Sequence, residues 1–177
     1  GFPSVGSWVT YGLGTENQQL PGFVVMIDPR GGPIGSASNW SSGYLPAAYQ
    51  GTHFRSGQSP VLNLRNPDGV SLQGQRSSLD LLKSLNQEHF ALRQNESELE
   101  ARIESYELAF RMQAAARDVV DLSRESKKTH ERYGLDNPRT EDFGRKCLIT
   151  KRLLERGVRY IQLYSGGGHV EDTWDGH

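Results

Sequence analysis

The chain has 177 residues, a formal net charge of -1 and a hydrophobic content of 35%. This near-neutral balance, with a pI near 6.6, leaves no electrostatic footprint for a nucleic-acid partner. No apolar run approaches the ~18–20 residues of a membrane span, and a single cysteine, Cys147, excludes an intrachain disulfide.

Gly1 to Gly22 is rich in turn formers and aromatics. Ser7 to Tyr11 can make one or two helical turns, ended by Gly12 and Gly14, since Gly is the usual residue just past a helix. Phe23-Val-Val-Met-Ile27 is a continuous apolar run bounded by Pro21-Gly22 and Asp28-Pro29. Its length and β-branched content predict a strand buried on both faces, as in a parallel sheet. A polar loop, Asp28-Pro-Arg-Gly-Gly32, leaves its carboxyl end.

Residues 31–74 hold many Gly, Pro, Ser and Asn and few periodic segments, so they read as an irregular loop excursion. Long excursions in a domain are usually functional or disordered, and the interleaved aromatics argue for order. Trp40, Tyr44, His53 and Arg55 are the candidate residues of a substrate cleft here. Packing against other parts of the protein is the alternative.

Residues 75–156 read as a helical section. Ser77 or Ser78 can cap a helix with Leu79, Leu82, Leu85, His89 and Leu92 on one stripe, His89 being a core or boundary residue. Asn95 with Glu98 forms a capping box for a second helix, whose buried face is Leu99, Ile103, Tyr106 and Phe110. A weaker helical stretch covers Val119 to Tyr133 and stops at Gly134. Thr140 caps the last helix, with Glu141 and Asp142 suited to its first turn and Phe143, Cys147 and Leu154 on one face. Cys147 there reads as a buried, inert thiol.

Gly157 ends that helix, and Val158 to Tyr164 follows at once as a second strand, the return half of a βαβ unit. Three glycines, 166 to 168, then lead into His169, Glu171, Asp172, Asp175 and His177. In open α/β sheets ligands bind outside the carboxyl ends of strands. Imidazole and carboxylate are donors for Zn, Mn or Fe, and with water for Ca or Mg. A polar loop over the sheet edge is the alternative reading. The sequence carries no GxGxxG, Walker, CxxC or HExxH pattern.

Seven segments together carry a resemblance: Gly6-Ser-Trp-Val-Thr-Tyr-Gly-Leu-Gly-Thr-Glu-Asn17, Leu20-Pro-Gly-Phe-Val-Val25, Asn39-Trp-Ser-Ser-Gly43, Ser105-Tyr-Glu-Leu-Ala-Phe-Arg-Met-Gln113, Phe143-Gly-Arg-Lys-Cys-Leu148, Arg156-Gly-Val-Arg159 and Trp174-Asp-Gly-His177. Over essentially the whole chain they resemble the sulfatase-like secreted bacterial proteins, a domain of unknown function, of the alkaline-phosphatase superfamily. The resemblance implies a three-layer α/β sandwich with a mostly parallel sheet and a metal site at the strands' carboxyl ends. It implies hydrolysis of sulfate or phosphate esters with a divalent metal ion (Zn, Ca, Mn or Mg) and a Ser, Thr or modified Cys nucleophile.

Asp175 and His177 are the metal ligands that carry over, with His169 a second-tier candidate. A small-molecule or polysaccharide ester would be the substrate, and a periplasmic or secreted location goes with the family. The family pattern begins earlier and continues later, so the chain reads as an internal part of one domain, lacking the nucleophile and most ligands. Ser4 and Ser7 lie near the end of the nucleophile region, but no activating base stands beside them in the sequence. As it stands, the chain is expected to be catalytically inert and to bind divalent metal weakly or not at all. The rival expectation is a non-catalytic carbohydrate- or anion-binding protein on the same fold.

Overall fold

The computed structural model describes residues 1–55, 57, 59–61, 64, 66–92 and 97–166. The predicted first strand is β1, Phe23–Met26, and all four of its residues are buried. It is the middle strand of a three-stranded sheet among the described residues, and both neighbours run parallel to it. On one side β3, Tyr160–Leu163, pairs Phe23 with Tyr160 and Met26 with Leu163. On the other, β2, Thr52–Phe54, pairs Val24 with Thr52 and Met26 with Phe54. The fold class is therefore α/β with an all-parallel sheet. Strand β2 corrects the reading of 31–74 as wholly irregular. Thr-His-Phe has no apolar run to announce it, and its pairing to β1 is what makes it a strand.

Alternation along β1 separates two cores. Val24 and Met26 join Leu20, Phe54, Met112, Ala116, Val119, Leu148, Ile149 and Leu153. Phe23 and Val25 point to the other face, with Trp40, Ile27, Tyr160 and Tyr164. The second face also carries α1, Val5–Leu13, which the Ser4 hydroxyl caps by accepting from the Ser7 N–H and which Gly14 ends. Gly6 lets α1 settle on Phe23: a Cβ at that position would lie 2.5 Å from the ring.

The helices on the first face differ from expectation in their boundaries and stripes. Helix α2 spans Leu72–Leu92, and its cap is Ser71, whose Oγ accepts the Gly74 N–H at 3.0 Å, not Ser77 or Ser78. Leu79 and Leu82 are half-buried, whereas Leu85 and His89 are exposed. The physical reason is that α2 packs on α3 rather than on the sheet. Arg76 fixes that pairing with a two-pronged ion pair to Glu107, at 2.9 and 2.7 Å, above the Phe110 ring.

Helix α3 spans Ser97–Val120; Asn95 lies outside the described residues. Its buried face is Met112, Ala116 and Val119, toward its C-terminal end, while Tyr106 is exposed. Among the described residues of α3, Leu108, Met112, Ala115, Ala116 and Val119 meet the central core. The weak helical stretch from Val119 resolves into the end of α3 and a separate α4, Lys127–Tyr133, capped by Ser126 and stopped by Gly134.

Helix α5, Glu141–Leu154, buries Leu148, Ile149 and Leu153, not the expected face of Phe143, Cys147 and Leu154. Phe143 and Leu154 are exposed. Thr140 precedes α5 without capping it, because its hydroxyl instead donates to the Gly134 carbonyl at 2.8 Å. Gly157, at φ +83°, then turns the chain into β3.

Candidate functional site

Because all three strands are parallel, their carboxyl ends open on one edge of the sheet. The loop leaving β1 is built by its own residues. Pro29 has no N–H to continue the ladder, and Asp28 Oδ1 accepts the Arg30 backbone N–H at 3.0 Å, an Asx-type turn. The Arg30 guanidinium then grips the same carboxylate, Nε to Oδ1 at 2.9 Å and Nη2 to Oδ2 at 3.1 Å. Asp28 Oδ2 also accepts the Gly166 N–H at 2.9 Å, so one buried carboxylate ties the exits of β1 and β3 together. Gly166 sits at φ +101°, a conformation that side chains rarely adopt.

The Arg30 hydrogen bonds hold the Asp28 carboxyl well below the usual carboxylate range, against the opposing effect of its burial, with the Gly166 N–H adding to the lowering. A carboxyl depressed on folding stabilises the fold above its unfolded pKa, near ~4, and loses that contribution as pH falls through its folded value. Asp28→Asn is therefore expected to cost about 2 kcal/mol at pH 7. The gap to wild type should shrink below about pH 4. Urea unfolding at three pH values measures it; a gap independent of pH would remove the charge from the explanation.

A second tether comes from α5. Lys146, only 2% exposed, donates from Nζ to the Ile27 carbonyl at 3.3 Å and pairs with Asp142 at 2.9 Å. Neither Asp28 nor Lys146 stood out in the sequence. The available signals were an Asp at a strand's carboxyl end and a Lys on the sheet-facing side of a helix.

The candidate cleft residues divide. Trp40 is 7% exposed and belongs to the second core. It stacks over His53, with centroids 6.2 Å apart and planes at 29°, and lies 6.1 Å from the Tyr164 ring. His53 pairs with Val25 in β2 and remains exposed at its rim. Its partial burial and then the charge of Arg55 hold its imidazolium below the ordinary range. Arg55 is exposed just past β2, at the carboxyl edge. Tyr44 stands elsewhere, in edge contact with Phe2 and Trp8. The structure thus brings together Trp40, His53 and Arg55, with Tyr164, but not Tyr44.

Asp175, His177 and His169 lie outside the described residues. Among the described residues no group of three or more His, Cys, Asp or Glu is placed to hold a metal ion. Asp28 does not offer itself as a ligand, since both of its oxygens are taken. The Ser4 and Ser7 hydroxyls are also in structural use: they bond each other at 2.8 Å, and Ser7 donates to the Ser41 carbonyl. Burial holds the Cys147 thiol above its ordinary value. Among the described residues no helix is long and apolar enough to cross a membrane.

A family model described as "Protein of unknown function (DUF1501)" matches residues 1–177. The chain belongs to that family. For this DUF1501 chain, no curated protein and no solved structure matches. What the site can do in a DUF1501 protein rests on its geometry. Asp28 fixes Gly166, the last described residue after β3, and Arg55 follows β2 at the same edge, with His53 before it in the strand and Trp40 stacked on His53.

Proposed function

We propose that this protein is a divalent-metal-dependent hydrolase of sulfate or phosphate esters, with an alkaline-phosphatase-like sandwich fold and a periplasmic or secreted location. The observation that carries this reading is the Asp28–Gly166 tie. It joins the exits of two adjacent parallel strands where α/β sheets bind ligands, directly before the Gly-rich segment that leads to Asp175 and His177. Those two residues would hold the metal, with His169 beside them, and their imidazole and carboxylate donors fit such an ion. A bound divalent ion supplies Lewis-acid polarisation of the ester oxygens. The chain's own residues orient the substrate: Arg55 offers an anion-binding guanidinium at the edge. Trp40 backs His53 so that its ring keeps one direction, and Lys146 and Arg30 hold the Asp28 loop in place.

The protein as its cell makes it should hydrolyse an aryl sulfate or an aryl phosphate, and chelator should abolish the activity. Asp175→Asn and His177→Ala are each expected to lower kcat/KM at least about a hundredfold. Chelator-resistant hydrolysis, or full activity in both variants, would sink the reading.

One feature favours a second reading as a carbohydrate-binding protein. Phe2 and Tyr44, 86% and 64% exposed, join Trp8, Tyr11 and Tyr49 in a continuous edge-to-face row of rings. Exposed apolar patches of that kind mark interaction sites. Retention on a polysaccharide column that Trp8→Ala and Tyr44→Ala abolish, with no ester hydrolysis, decides for it.

A further inference from the structure

We infer that the row of rings along α1 docks an uncharged polysaccharide chain, with the helix backbone at Gly12 as its point of closest approach. This deepens the second reading above, that the row binds carbohydrate, and rests on it. The row is built by two stretches, 1–15 and 31–52, that contain no Asp, Glu, Lys or Arg, although such residues make up 23% of the chain. The charges just beyond the end of α1, Glu16 and Arg159, pair with each other at 3.1 Å. An anionic polymer laid on this surface would lose water without meeting a counter-charge, which is costly. An uncharged chain escapes that cost.

Gly12 is the decisive residue. It lies in the last turn of α1, where glycine weakens a helix relative to alanine. No positive φ requires it there, and a Cβ would meet no atom within 4 Å, so neither conformation nor packing explains it. A helical side chain leans back over the turn before its own Cα, and position 12 is one turn past Trp8 and next to Tyr11. A glycine there leaves the flanks of both rings open. Glycine is also the residue that lets a ligand come against the backbone.

The rings and their polar tips match the two sides of a sugar. Trp8 and Tyr11 are 46% and 50% exposed, and an aromatic face, with its negative quadrupole, attracts the C–H side of a pyranose. The hydroxyls of Tyr11, Tyr44 and Tyr49 and the Trp8 indole N–H can donate to sugar hydroxyls, the tyrosines accepting as well. A lipid surface is the poorer match. Helices that lie on membranes carry Lys and Arg on their polar face, and α1 has none.

The test sets neutral polymers against charged ones of the same backbone, hydroxyethylcellulose against carboxymethylcellulose and dextran against dextran sulfate. Each is titrated calorimetrically into the protein as its cell makes it. At least one neutral polymer is expected to bind at least about tenfold more tightly than its charged counterpart. Gly12→Leu should weaken that binding about tenfold while its urea midpoint stays at or above wild type, because leucine is the better helix former. If Gly12→Leu fails to fold, Gly12→Ala, which adds one methyl group in open space, is read instead, with a loss of about threefold. Equal or tighter binding of the charged polymers, or undiminished binding in the folded Gly12 variant, overturns this inference and leaves the carbohydrate reading standing. Binding of none of the polymers sinks both, as does capture by phosphatidylcholine vesicles with no polymer bound. Ester hydrolysis enters none of these readouts, so the carboxyl-edge reading is judged separately.

Discussion

Gly144→Ala is expected to destabilise the chain by at least about 3 kcal/mol, the upper range for overpacking a closed site. Helix α5 crosses the end of α4 at this residue, and a Cβ there would lie 1.8 Å from the Tyr133 carbonyl oxygen and 3.4 Å from Leu135 Cδ2. The obstacle is backbone, so no rotamer change relieves it; α4 must move away from α5. Gly12 provides the contrast. It lies within α1, and a methyl group added there would meet no atom within 4 Å, so Gly12→Ala should stabilise by about 0.5–1 kcal/mol through backbone entropy alone. Urea denaturation of both variants measures the difference. A Gly144→Ala midpoint close to wild type would mean that the α4–α5 crossing is looser than the structure describes.

The same crossing illustrates what sequence can and cannot reveal. Strand β1 was legible because a strand buried on both faces must be apolar at every position, and Phe23 to Ile27 is. Gly14, Gly134 and Gly157 were legible as stops because each takes a positive φ. Strand β2 was not, since Thr52 and His53 acquire strand geometry only by pairing with Val24 and Val25. The stripe on α5 was misplaced because Phe143 and Leu154 look like core yet lie off the contact line set by Gly144, Leu148 and Ile149. Asp28 illustrates the deeper limit. Its role depends on Gly166, 138 residues away, and no local pattern encodes a partner at that distance. The candidate ligands Asp175 and His177 were legible only as residue types; their placement lies outside the described residues.

Asp142→Ala is expected to cost about 2 kcal/mol, and Lys146→Met less than about 1 kcal/mol, although both remove the same ion pair. The asymmetry follows from burial. The Lys146 side chain is 3% exposed, while that of Asp142 is 35% exposed. Removing the lysine leaves a carboxylate that water can reach and places an apolar chain of similar length in an apolar setting. Removing the aspartate leaves an ammonium in the interior with the Ile27 carbonyl and the face of Phe143, 5.6 Å away, as its remaining partners. The cost stays below the ~3–5 kcal/mol of a fully buried pair because Asp142 is already partly hydrated. Asp142 also lies in the first turn of α5, where a carboxylate favours the helix by ~0.3–1 kcal/mol. Glu141→Ala in that same turn removes a first-turn carboxylate together with its Arg145 ion pair, and so sets an upper bound on the dipole contribution. The double variant Asp142→Ala with Lys146→Met should then be more stable than Asp142→Ala alone, because the stranded charge is gone. If Lys146→Met proves the costlier single change, the ammonium itself is needed where the chain leaves β1, and Lys146 holds the Asp28 loop through its charge rather than by filling space.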